Sequence, residues 1–152
     1  MFYLEPTPAN HPELQQLITE LDNWQNALYP ADSCHSLDLQ AQPEAHIYCL
    51  IARSEQGERV GCGAVVLEGE NKGEIKRMYI RPAWRGHKLG EKILACLEDV
   101  ARQHSLPWLR LETGIHQHAA IRLYQNCQFE IREAFAPYQP DPLSVFMEKA
   151  LV

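Results

Sequence analysis

The stretch Glu74-Ile75-Lys76-Arg77-Met78-Tyr79-Ile80-Arg81-Pro82-Ala83-Trp84-Arg85-Gly86-His87-Lys88-Leu89-Gly90 runs from a β-rich segment through a proline stop into a basic, glycine-bearing turn. Proline removes a ladder donor and restricts the residue before it, so the strand ends at Arg81-Pro82. From Lys88 onward, Leu89, Ile93, Cys96, Leu97 and Val100 mark one face of a long helix ending near His104. This order makes a site for an anion. The first N–H groups of a helix have no intrahelical acceptor, the helix dipole favours negative charge there, and glycine lets backbone approach closely. Arg85 and Lys88 add full charges. Six basic residues and one acidic one lie between Lys76 and Lys92, in a chain of formal net charge −6. The positive charge is local, as a site for one polyanionic small molecule requires.

Working outward, Ile47 to Ala52 and Val60 to Leu67 are apolar, β-rich runs separated by Ser54-Glu55-Gln56-Gly57, the pattern of a hairpin. Before them, Leu14, Leu17, Ile18, Leu21, Trp24 and Leu28 recur at helical spacing, which predicts a helix over 11–28 closed by Pro30. The residues before it, Met1 to Pro6, read as a first strand, and a short helix is expected near Leu37 to Leu39. After the long helix come a strand at Trp108 to Thr113, a helix from about Gln117 to Cys127, and closing strands at Phe129 to Ile131 and Leu143 to Lys149. The order predicts an α/β (α+β) domain with a mixed, mostly antiparallel sheet flanked by helices.

The 152 residues suit a single domain, 1–152, with a core large enough to need no metal or disulfide. No apolar run is long enough for a membrane span, and the acidic balance argues against sequence-independent nucleic-acid binding. The N-terminus lacks a secretory pattern, and the five cysteines are odd in number with no C-x-x-C pair, which together lead to the expectation of a cytoplasmic protein. His116-x-His118 has a spacing found in metal sites, but no cysteine or carboxylate cluster accompanies it, so solvent-facing histidines and no metal are expected.

The stretch from Glu74 to Gly90 resembles the acetyl-CoA signature of the GNAT superfamily of N-acetyltransferases, usually Arg/Gln-x-x-Gly-x-Gly/Ala. Arg85 opens the motif here, Lys88 stands where the first glycine falls, Gly90 supplies the second, and Gly86 is a further familiar glycine. Leu111-Glu112-Thr113-Gly114, Gln117, Ala119-Ala120 and Leu123-Tyr124 followed by Gln128-Phe129 are similar to the next strand and helix of the superfamily. The ending from Phe135 to Lys149, with Tyr138, Asp141 and Pro142, is similar to that of a little-characterised bacterial subgroup.

The resemblance implies acetyl-CoA as co-substrate, held where the fourth and fifth strands splay apart, and direct attack of an amine on the thioester. It implies Glu74 as general base and Tyr124 as general acid toward the coenzyme sulfur. Glu112, which shares a strand face with Trp108 and Arg110 by alternation, is the alternative base or an anchor for the substrate amine. The backbone N–H of Met78 would polarise the thioester carbonyl. Tyr79 and Ile80 would run beside the pantetheine arm, Arg85, Gly86, His87, Lys88, Leu89 and Gly90 would hold the pyrophosphate, and Gln117 would touch the coenzyme. Tyr29, His35 and Tyr138, with Glu112, are expected at the acceptor. The expected acceptor is a small metabolite or amino acid. The alternatives are a protein or peptide amine, or a catalytically silent acyl-CoA sensor, and either a monomer or a homodimer is expected.

Overall fold

A computed structural model describes residues 1–30, 39–41, 43, 46–67 and 72–151. Among these residues, seven strands form one sheet: β1 (Tyr3–Thr7), β2 (Ile47–Arg53), β3 (Arg59–Leu67), β4 (Gly73–Ile80), β5 (Trp108–Gly114), β6 (Glu130–Arg132) and β7 (Ser144–Ala150). They lie in the order β1-β2-β3-β4-β5-β7-β6, antiparallel throughout except for the parallel pair β4–β5. Helix α1 (Pro12–Leu28) covers one face, and α2 (Leu89–Gln103) with α3 (His118–Asn126) the other. The expected mixed, mostly antiparallel architecture is the one observed. A single 3-10 turn at Leu39–Ala41 stands near the expected second helix, whose Leu37 lies outside the described residues.

Local chemistry explains the boundaries. The Nδ1 atom of His11 accepts the N–H of Glu13 at 3.1 Å, and Pro12 occupies the first helical position, where its missing N–H costs nothing. Helix α1 stops at Tyr29, the residue that Pro30 disfavours from helical geometry. Leu14, Leu17, Ile18 and Leu21 bury its stripe against the sheet, but Trp24 and Leu28, which share that periodicity, are 36% and 39% exposed. In α2, Leu89, Ile93, Leu94, Leu97, Val100 and Ala101 are buried together. Each buried leucine, isoleucine or valine among them contributes about 1.5–3 kcal/mol.

Strand β4 departs from simple alternation. Its register against β3 shifts between Cys62 and Ala64, and Arg77 opposite has φ 58, the left-handed region. The resulting bulge puts Ile75, Met78 and Ile80 on the α2 side and Tyr79 on the α1 side, where unbroken period two would pair Ile75 with Arg77 and Tyr79. Gly63 lies beside it; a Cβ there would stand 2.8 Å from Met78 Sδ and 2.6 Å from Ile93 Cγ2. β4 pairs with β5 only at Glu74 with Arg110 and at Ile75 with Leu111, after which the strands part. The site opens at that parting.

Candidate active site

A cleft of about 510 Å³ begins where β4 and β5 diverge, bounded by Met78, Tyr79 and Ile80, by the Trp84–Glu91 turn, and by the start of α3 from His116 to Tyr124. Its basic rim has a defined backbone. Gly86 has φ 90 and Lys88, the N-cap of α2, has φ 59 with no side-chain cap, so the first N–H groups of α2 have no intrahelical acceptor and no capping side chain. Gly90 packs closely on α3: a Cβ would come within 2.7 Å of Leu123 Cδ2. The Arg85 guanidinium lies 5.2 Å from the Trp24 ring and donates through Nε to the Ile80 carbonyl at 3.2 Å. His87 was expected among the residues that hold the pyrophosphate. It is absent from the cleft wall and packs instead on Phe2 and Trp84, at 5.5 and 6.2 Å between ring centroids.

The local positive charge read from the sequence divides in the fold. Lys76 pairs with Glu74 at 3.0 Å, Arg77 with Asp22, and Arg81 with Glu20 at 2.7 Å, leaving Arg85 and Lys88 as the basic residues of the cleft rim. The hydrogen bonds from Arg81 hold the Glu20 carboxyl below the usual carboxylate range.

A smaller inner cavity, about 70 Å³, adjoins the cleft. It is lined by Leu21 and Gln25 of α1, Ile75 to Met78 of β4, Glu112 and Thr113 of β5, and it shares Met78, Gln117, Ala120 and Tyr124 with the larger cleft. Tyr124 thus stands at the junction. Its burial, 5% exposed, pushes the phenol well above its ordinary pKa and keeps it neutral. The carboxylate of Glu112 accepts from Ser144 Oγ at 2.8 Å.

Glu74, the expected base, is 7% exposed and lines neither cavity. Its carboxylate accepts from Tyr138 Oη at 2.5 Å and pairs with Lys76, whose ammonium also reaches the Tyr138 hydroxyl and ring. Tyr138 packs with Phe135 and Phe146 and likewise lines neither cavity. His35 lies outside the described residues.

Tyr29 and Gln117 form a corner rather than two separate contacts. Gln117 Oε1 accepts from the Gly114 N–H at 2.9 Å, which fixes which end of the amide is oxygen, and it receives Thr113 Oγ1 at 3.4 Å and Tyr29 Oη at 3.5 Å. Tyr29 Oη accepts from the His116 N–H at 3.1 Å while its ring stacks on the His116 imidazole. The Gln117 amide nitrogen therefore remains for the cleft. His116 and His118 are exposed at the cleft mouth, and no cluster suited to a metal ion occurs among the described residues.

The family model for the acetyltransferase (GNAT) family matches residues 13–129. The chain belongs to this family. It is 48% identical over 137 residues to the IAA acetyltransferase of Azospirillum brasilense, covering 90% of this chain and 89% of that one. A crystal structure of a Klebsiella pneumoniae protein assigned as an acyl-CoA N-acyltransferase superimposes with TM-score 0.91 at 52% identity, over 100% of this chain and 99% of that one. The paia N-acetyltransferase of Thermoplasma acidophilum, solved in complex with coenzyme A, shares the fold at TM-score 0.73 and 17% identity, covering 99% of each chain. This GNAT protein is accordingly an acyltransferase with acetyl-CoA as donor. No helix among its described residues is long and apolar enough to cross a membrane.

The sequence reading missed the contributions of Trp24, Gln25, Lys76 and Arg77 to the two cavities. Trp24 carried a signal, as a large aromatic on the α1 stripe. Arg77 carried none, because the bulge that turns it is not a feature of side-chain pattern.

Proposed function

We propose that this GNAT protein moves the acetyl group of acetyl-CoA to a primary amine of a small molecule by direct attack in a ternary complex. The observation that carries this reading is the junction of the 510 Å³ cleft with the 70 Å³ inner cavity through Met78, Gln117, Ala120 and Tyr124. Donor and acceptor compartments that meet at a neutral phenol suit transfer without a covalent enzyme intermediate. Arg85, Lys88 and the first N–H groups of α2 take the pyrophosphate, while the edge of β4 at Tyr79 and Ile80 that β5 leaves open runs beside the pantetheine arm and Gln117 donates to it. The Met78 N–H polarises the thioester carbonyl. The amine nitrogen attacks that carbon and the C–S bond breaks. Tyr124 gives its proton to the leaving sulfur, and Glu112 takes the proton released by the ammonium, directly or through water.

Glu112 is preferred to Glu74 as base because it borders the inner cavity, whereas the Glu74 carboxylate is engaged by Lys76 and Tyr138. Glu74 then serves to hold Lys76 in place. Thiol release from acetyl-CoA, measured against a panel of small amines, tests both parts of the reading. Glu112→Gln should lower kcat by roughly 100-fold, with Glu74→Gln much closer to the parent. The reverse order returns the base to Glu74, and a panel without turnover removes the small-amine acceptor.

A further inference from the structure

Lys76 and Arg77 are consecutive on β4, yet both line the inner cavity. In a regular strand, successive side chains leave on opposite faces, and one of the two would be turned into the core under α2. The bulge prevents this by holding Arg77 at φ 58, a backbone conformation uncommon for a non-glycine residue and concentrated at functional sites. Two cations therefore share one cavity wall. Glu112 borders the same cavity from β5, so the chamber is bipolar, with ammonium and guanidinium on one strand and carboxylate on another.

Both cations are held in position by carboxylates, Lys76 by Glu74 at 3.0 Å and Arg77 by Asp22. An ammonium has three donors. Glu74 and the Tyr138 hydroxyl take two from Lys76, which leaves one for a further acceptor. A plain amine would displace water from this wall and offer nothing to its donors, and polar groups desolvated without partners are costly.

We propose that the acceptor is a small amino acid, with its ammonium addressed by Glu112 and its carboxylate by Lys76 and Arg77. The proposal rests on the small-amine reading above and narrows it. The reaction is unchanged: the amino-acid nitrogen forms the amide bond as the thioester C–S bond breaks, and the products are an N-acetyl amino acid and coenzyme A.

The test is thiol release by the unaltered protein, with saturating acetyl-CoA and matched pairs: L-alanine with ethylamine, L-leucine with isopentylamine, and L-phenylalanine with phenethylamine. A charged hydrogen bond lost from a site built to receive it corresponds to roughly 10- to 100-fold. In the pair whose side chain fits, kcat/KM for the amino acid should exceed that for the amine by at least roughly tenfold, and Lys76→Gln should reduce this preference to about threefold or less. Because the pairs are run on the parent protein, the first result stands whether or not Lys76→Gln folds. Equal or better use of the decarboxylated amine, or a preference untouched by Lys76→Gln, overturns the amino-acid assignment while acetyl transfer to amines survives. Binding of acetyl-CoA without thiol release from any member of the panel removes the small-amine reading and this proposal with it.

Discussion

Adding a single methyl group at Gly114 tests how the corner between β5 and α3 is built. A Cβ at this position would lie 1.9 Å from Tyr29 Oη, 2.2 Å from its Cζ and 2.8 Å from Gln117 Oε1. The backbone of Gly114 lies outside the left-handed region, so alanine meets a steric obstacle and no conformational one. Tyr29 is 8% exposed and has little room to retreat. Gly114→Ala should therefore lose the hydrogen bond from the His116 N–H, about 1 kcal/mol, and add about 1–3 kcal/mol of overpacking. Stiffening of the unfolded chain offsets about 0.4–1 kcal/mol of this. The net loss of about 1–3 kcal/mol lowers Tm by roughly 3–10 °C in a chain of this size. Urea or thermal unfolding followed by circular dichroism reads it. The decisive comparison is the Tyr29→Ala background, where the obstructing ring is gone, only the contact with Gln117 Oε1 remains, and Gly114→Ala should cost clearly less than in the parent. Equal costs in both backgrounds, or a negligible cost in the parent, would refute the packing argument. Because Gln117 borders the cleft, calorimetric titration should also show weaker acetyl-CoA binding in Gly114→Ala alone.

Replacing Arg85 and Lys88 together by alanine should weaken acetyl-CoA binding by roughly three- to tenfold and flatten its dependence on salt; unchanged affinity would locate the pyrophosphate elsewhere. Tyr124→Phe should lower kcat by roughly 100-fold with little effect on the KM for acetyl-CoA. Because burial raises the Tyr124 phenol above its ordinary value of 10.0, the parent enzyme should show no alkaline fall in kcat from this group up to that pH, and a parent-like rate in the phenylalanine variant defeats the acid assignment. Glu20, lowered from 4.5 by its hydrogen bonds to Arg81, takes up a proton less readily in the folded protein than in the unfolded chain. Its stabilising contribution is thus complete above about 4.5 and lost as the pH falls through the lowered folded value. Glu20→Gln should flatten this acid limb of the stability curve, and an unaltered limb would show that the Arg81 pairing contributes nothing.

Much of the fold was legible because its signals are local. The prolines at 30 and 82 bound elements by removing donors and restricting neighbours, and the apolar stripes of α1 and α2 repeat at 3.6 residues wherever a helix packs on a sheet. The basic, glycine-bearing turn was legible for the same reason, since Arg85 to Gly90 lie side by side in the chain. Glu74 illustrates the limit. The family resemblance implies it as a base, but its surroundings are set by Tyr138, which is 64 residues away and brought over by the connection before β7.

The amino-acid sequence by itself determined the order of strands and helices, the stop at Pro82 and the helix head that follows, because propensity, capping and turn chemistry act over a few residues. Only the tertiary structure decided which carboxylate borders the inner cavity, that Lys76 and Arg77 share it, and that Tyr29 braces Gln117 from 88 positions away. Those outcomes depend on strand register and on one bulge. A one-residue change in register exchanges the faces of every side chain beyond it, and the chain's local pattern does not encode where that exchange occurs.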